Sequence, residues 1–186
     1  MNAHVITFPA RRAKEALEVK KLIRVLIALT IVMAVDWLTK NWAERTLPLS
    51  VPTPFIGQFF RLTLGYNTGV SFGMFANGGL WPLIITGLVI VGLVVWLLSA
   101  LRTGELPRMA AWPIGLILGG AIANFIDRLP DGRVTDFLDV GYGATRWPTF
   151  NLADTFIVIG VALLLLFSLM DNQHEAAKSE NIGDSN

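Results

Sequence analysis

The 186-residue chain has no cysteine, which excludes disulfides, thiolate metal sites and a cysteine nucleophile. It has two histidines, His4 and His174, near the termini and outside every apolar stretch. A histidine-based metal centre or a Ser-His-Asp triad is therefore disfavoured. Charge is scarce too: 16% of residues are charged, against roughly a quarter in a soluble domain. The net charge is +1, with no basic face of the kind that binds nucleic acid. Instead, 53% of residues are hydrophobic and the mean hydropathy is +0.56. This is the composition of an integral membrane protein.

Four apolar stretches run over about 22–38, 80–101, 112–129 and 150–170. Each is close to the ~20 residues that span hydrocarbon as a helix, although charges interrupt the first and third. Arg11, Arg12, Lys14, Lys20 and Lys21 precede the first stretch. No small-residue cleavage site follows it and DWLTK closes it, so it reads as a retained span rather than a cleaved leader. The basic run, with Arg102 and Arg108 between the second and third stretches, places both termini in the cytoplasm. The expected fold is all-α, with four transmembrane helices and a small β-structured extracytoplasmic cap. Residues 1–21 form a basic cytoplasmic extension, 22–170 the membrane domain, and 171–186 an acidic, disordered tail. Outer loops fall at about 40–79 and 130–149, and FFRLTLGYN and RVTDFLDV within them alternate as short strands do. Alternation places Val134, Asp136, Leu138 and Val140 on one strand face and Arg133, Thr135, Phe137 and Asp139 on the other.

With this topology the polar residues converge. Asp36 lies near the outer end of the first span, and Asn124, Asp127 and Arg128 lie near the outer end of the third. Asn151 and Asp154 open the fourth, while Asn67 and Asp136 come from the outer loops. Polar groups in spans are costly unless partnered or functional, so a shared face indicates a site. Asn124 with Asp127, and Asn151 with Asp154, are i, i+3 pairs that share a helix face. Without usable cysteine or histidine, the chemistry open to this cluster is that of a carboxylate pair. Two neighbouring carboxyls resist double ionisation, so one takes a proton from water while the other polarises a carbonyl and protonates the leaving amine.

These residues match a family. The chain resembles the lipoprotein signal peptidases, or signal peptidase II, through DWLTK at 36–40, YNTGVSFGMF at 66–75 and GGAIANFIDRL at 119–129. GRVTDFLDV at 132–140 and WPTFNLADTFIVIG at 147–160 complete the match. The resemblance implies Asp136 and Asp154 as the catalytic pair, and Asp36, Asn67, Asn124, Asp127, Arg128 and Asn151 as pocket residues. It also implies a bacterial inner-membrane peptidase with its site near the periplasmic face, needing no cofactor or metal. Its substrate would be a diacylglyceryl-modified prolipoprotein cut just before the lipidated cysteine. Partners beyond that substrate are membrane lipids, and the chain is expected to be a monomer. Ala123 departs from the family's glycine, Val70 and Ser71 from its paired alanines, and the N-terminal extension is longer than usual.

Plainer roles compete at several positions. Asp127 and Arg128 can form an ion pair closing a helix, Asn151 can be a helix cap, and Asp36 an interfacial residue. Gly115, Gly119, Gly120 and Ala123 fit close helix packing, and Asp131 fits a turn. Asp139 reads as a solvated loop residue. Trp81, Trp112 and Trp147 read as interfacial anchors. The rival functions are a small membrane carrier, whose ionisable groups would lie at the bilayer midplane, a non-catalytic scaffold, and an inactive lipopeptide-binding homologue.

Overall fold

The computed structural model of the protein describes residues 7–69 and 79–183. Val70 and Ser71, with most of the 66–75 motif, lie outside the described residues.

The first helix, α1, spans Thr7–Thr46 and outruns the 22–38 stretch at both ends. Arg11 pairs with Glu15 and Lys21 with Glu18, so the run read as a hydrophilic extension carries helical ion-pair spacing. At the other end Thr39, Asn41 and Thr46 return side-chain hydrogen bonds to carbonyls one turn back, in a helix that continues beyond Lys40. Helix α2 spans Trp81–Thr103 and stops at Gly104, whose φ of 78° is a left-handed cap. A single 3-10 turn, Arg108–Ala110, leads into α3, Ala111–Arg128. Helix α4 runs Leu152–Gly183. Its backbone passes the boundary at Asp171, where composition gives a disordered tail. Residues 171–182 hold neither proline nor glycine, and extending an established helix is far easier than starting one.

All four helices are long and apolar enough to cross a membrane. Leu26 and Ile31 on α1, Leu88 and Val95 on α2, and Val158 and Leu165 on α4 are exposed. Such continuous apolar faces suit lipid rather than water. Helix α3 is the most buried of the four and packs between α1 and α4. A Cβ at Gly115 would stand 2.6 Å from the Ala28 Cβ, and one at Gly120 would stand 2.5 Å from the Ala153 carbonyl oxygen. Only glycine permits these approaches, as the small-residue pattern anticipates.

The two long loops pair with each other. Strands β1 (Thr53–Ile56), β2 (Phe60–Asn67), β3 (Val134–Tyr142) and β4 (Thr145–Arg146) form one antiparallel sheet in that order. The central pair places Leu62 opposite Leu138 and Gly65 opposite Asp136. The sheet closes over the bundle end where α1 and α3 finish and α4 begins, on a core of Ala43, Leu64, Phe137 and Leu138. A second core, including Val25, Leu97, Leu106 and Ile114, fills the opposite end.

One expectation for the cap is overturned. Asp139 is not a solvated loop residue, being only 4% exposed. It accepts hydrogen bonds from Arg61 Nε at 3.0 Å, Thr63 Oγ1 at 2.8 Å and Arg146 Nε at 2.7 Å. Burial alone would raise its pKa, but the bonds from Arg146, Thr63 and Arg61 outweigh burial and hold it below the ordinary value. In the assembled sheet Arg61 lies directly opposite Asp139.

Candidate active site

The fourth helix opens with a reciprocal cap. The Asp154 backbone N–H donates to Asn151 Oδ1 at 3.0 Å, and the Asn151 N–H donates to Asp154 Oδ2 at 3.3 Å. This is a capping box built from Asn and Asp, and it fixes both side chains at the helix start. Asn151 is thus a cap and more. Its Nδ2 donates to Asp136 Oδ1 at 2.8 Å and to Asn124 Oδ1 at 3.1 Å. Asn124 Nδ2 in turn donates to Asp154 Oδ1 at 2.8 Å. Two amides therefore tie a carboxylate from β3 to a carboxylate from α4, with α3 supplying the link.

Behind this layer lies a buried charge cluster. Asp36 is no interfacial residue, being 1% exposed. Its Oδ1 accepts the Ala153 backbone N–H at 2.8 Å, which locks α1 to the start of α4. Lys40, one turn on, places Nζ 2.7 Å from Asp36 Oδ2 and 3.2 Å from Asp127 Oδ2, and donates to Asn124 Oδ1 at 2.8 Å. The Asp127 partner is thus Lys40, not Arg128. Successive helical residues point about 100° apart, so Asp127 turns to α1 while Arg128 turns to the cavity. Asp127 also accepts the Thr135 backbone N–H at 2.9 Å and so anchors the start of β3. Lys40 belongs to the DWLTK motif, though no role for it is evident there. Its i, i+4 spacing from Asp36 on an apolar helix was the available signal. Among the described residues no three carboxylates gather as metal ligands, and the Lys40 ammonium fills the space between Asp36 and Asp127.

In front of the amides a cavity of about 890 Å³ opens between α2, α3, α4 and β3. Asn67, Asn124, Arg128, Asp136 and Asp154 line its polar end, while Ile85, Val89 and Leu93 of α2 and Ile117 and Ile157 extend it as an apolar slot. Asp127, Asp36 and Asn151 lie outside the lining and support it from behind. Arg128 donates to the Gly69 carbonyl and to the Asn124 carbonyl at 3.4 Å, and its buried Nε has no partner among the described residues. Burial raises the pKa of Asp136 to about 7, and the Asp154 carboxylate adds to that. Side-chain donors on Asn151 and Asn67 oppose the rise only in part.

Comparison with known proteins agrees with this architecture. The family described as Signal peptidase (SPase) II matches residues 28–170. A lipoprotein signal peptidase of Xylella fastidiosa (strain M12) is 40% identical over 156 residues, covering 82% of this chain and 92% of the relative. One from Syntrophotalea carbinolica is 40% identical over 154 residues, covering 81% and 94%. One from Brevibacillus brevis is 36% identical over 143 residues, covering 77% and 93%. Two solved bacterial membrane enzymes superpose with TM-scores of 0.69 and 0.65 at 28% and 29% identity. They cover 81% and 79% of this chain, and 90% and 93% of their own. The length of the match, the four spanning helices and the paired-loop sheet together make this chain a multi-pass membrane peptidase of the signal peptidase II family.

Proposed function

We propose that the chain is an aspartic endopeptidase that removes the signal peptide of diacylglyceryl-modified prolipoproteins at the outer face of the bacterial inner membrane. The observation that carries this reading is the amide-linked pair Asp136 and Asp154 at the head of an apolar cavity. Asp154 accepts from Asn124 Nδ2 and from the Asn151 N–H, which hold its carboxylate in place beside Asp136, and it is the base that takes a proton from water. Asp136, with its pKa near 7, still carries a proton in a large share of molecules at neutral pH and donates it to the scissile carbonyl. Hydroxide adds to the carbonyl carbon, the C–N bond breaks as Asp154 passes its proton to the leaving amine of the lipidated cysteine, and the newly formed carboxyl returns a proton to Asp136. The apolar slot along Ile85, Val89 and Leu93 suits the diacylglyceryl chains, which would seat the bond beside them at the carboxyls. Arg128 and Asn67 hold the substrate backbone.

The outward placement rests on the basic residues of α1 and of the α2–α3 turn, which lie at the bundle end opposite the carboxyls. A single chain supplies the whole constellation, so a monomer suffices. The test is to incubate the detergent-purified protein with a diacylated prolipoprotein and with its unlipidated form. Mass spectrometry should show signal-peptide release from the first only. No release, or equal release from both, would sink the proposal.

A further inference from the structure

A second groove, of about 320 Å³, lies at the bundle end opposite the carboxyls, between α1, the start of α3 and the later turns of α4. Its walls include Arg24, Arg108, Met109, Trp112, Leu163 and Phe167. Arg24 precedes Asp36 by 12 residues and Phe167 follows Asp154 by 13. At 1.5 Å per residue the groove stands about 18–20 Å along the helices from the peptidase site. It shares no residue with that site.

Among the described residues, the groove's two arginines have no counter-ion. Lys21 is held by Glu18 and the Leu106 carbonyl, and Lys14 by the Thr103 carbonyl. Arg24 and Arg108, by contrast, make no hydrogen bond or ion pair with any described residue. Arg24 also sits inside the apolar run of α1, where an unpaired guanidinium is costly unless something answers it. The rest of the lining is apolar, and Trp112 and Met109 are exposed. Two guanidinium forks above an aliphatic and aromatic wall fit a phosphodiester that carries acyl chains.

We propose that this groove binds one anionic phospholipid from the leaflet opposite the peptidase site, its phosphate between Arg24 and Arg108 and a chain along Leu163 and Phe167. The lipid would brace α1, α3 and α4 where they lie farthest from the cap.

Native mass spectrometry of the full chain in detergent, titrated with phosphatidylglycerol or phosphatidylcholine, tests this. One phosphatidylglycerol should bind in preference to phosphatidylcholine, and R24Q/R108Q should weaken it about 10–30-fold. Because Arg108 is exposed, R108Q alone should fold normally and still lose part of that affinity. Unchanged phosphatidylglycerol preference in both variants would overturn the proposal. Displacement of the lipid by millimolar inorganic phosphate would too, since the site would then be one for free anions. Asp171, one turn beyond Phe167, offers the acidic tail as a rival occupant. A tenfold or greater gain in lipid affinity in D171N would show that the tail fills the groove and would also overturn the proposal. The readout is lipid binding, so it stands or falls independently of peptidase activity.

Discussion

Replacing Asp136 by Asn should abolish cleavage and, at neutral and alkaline pH, stabilise the fold. Asp136 is 2% exposed and its pKa stands near 7, pushed up first by burial and then by the Asp154 carboxylate. Because the folded value lies above the unfolded 3.8, the folded protein favours the protonated form. The stability this confers is full below the unfolded pKa and is lost as pH rises through about 7. From those two values, complete ionisation costs the fold about 4 kcal/mol, of which about 2–3 kcal/mol develops between about pH 5 and pH 8. A chain of this size shifts Tm by about 2–4 °C per kcal/mol. Asn keeps the shape and cannot ionise, so the Tm advantage of Asp136→Asn over the parent should widen by about 5–10 °C between those pH values. Thermal melts in detergent across the pH range measure it. A constant offset at every pH would refute the argument that the fold holds Asp136 protonated near neutrality.

The remaining predictions follow from neighbouring contacts. Cleavage rate should fall on an alkaline limb near pH 7 as Asp136 loses its proton, which a kcat/KM profile at constant ionic strength would reveal. Lys40→Met should leave the buried Asp36 and the half-buried Asp127 without a counter-ion and cost about 3–5 kcal/mol, read as a large Tm loss or failed expression. Asp139→Asn should lower Tm by several degrees, because Arg61 and Arg146 lose a buried partner, yet leave cleavage per folded molecule near normal. Reporter fusions after Lys178 and in the 101–111 turn should read cytoplasmic, and one near Tyr142 external; the reverse would undo the orientation.

Much of this was legible in the sequence because membrane spans and strand alternation are local signals. The stretches at 80–101 and 112–129 match α2 and α3 within about two residues, as boundary reading allows. The alternation in RLTL and RVTDFLDV matches β2 and β3. What was not legible was pairing. No spacing rule says that Asp127 turns to Lys40, 87 residues earlier, rather than to its neighbour Arg128. Asp139 looked solvated because its partners, Arg61 and Arg146, come from two other strands and are visible only once the sheet is assembled. The length of α1 was missed for a different reason. Hydropathy ends a span where charges begin, whereas Arg11 with Glu15 and Asp36 with Lys40 carry helix onward through ion pairs.

The claim that Asp136 and Asp154 act as one pair is tested most directly by Asp136→Asn, Asp154→Asn and the double variant, each assayed on a diacylated prolipoprotein by mass spectrometry. Each single variant, shown to be folded by its melt, should lose at least ~10²–10⁴-fold in rate, and the double variant should lose little more, because a catalytic unit fails whole. Near-parental turnover in either folded single variant, or two modest losses that multiply in the double, would contradict the pair.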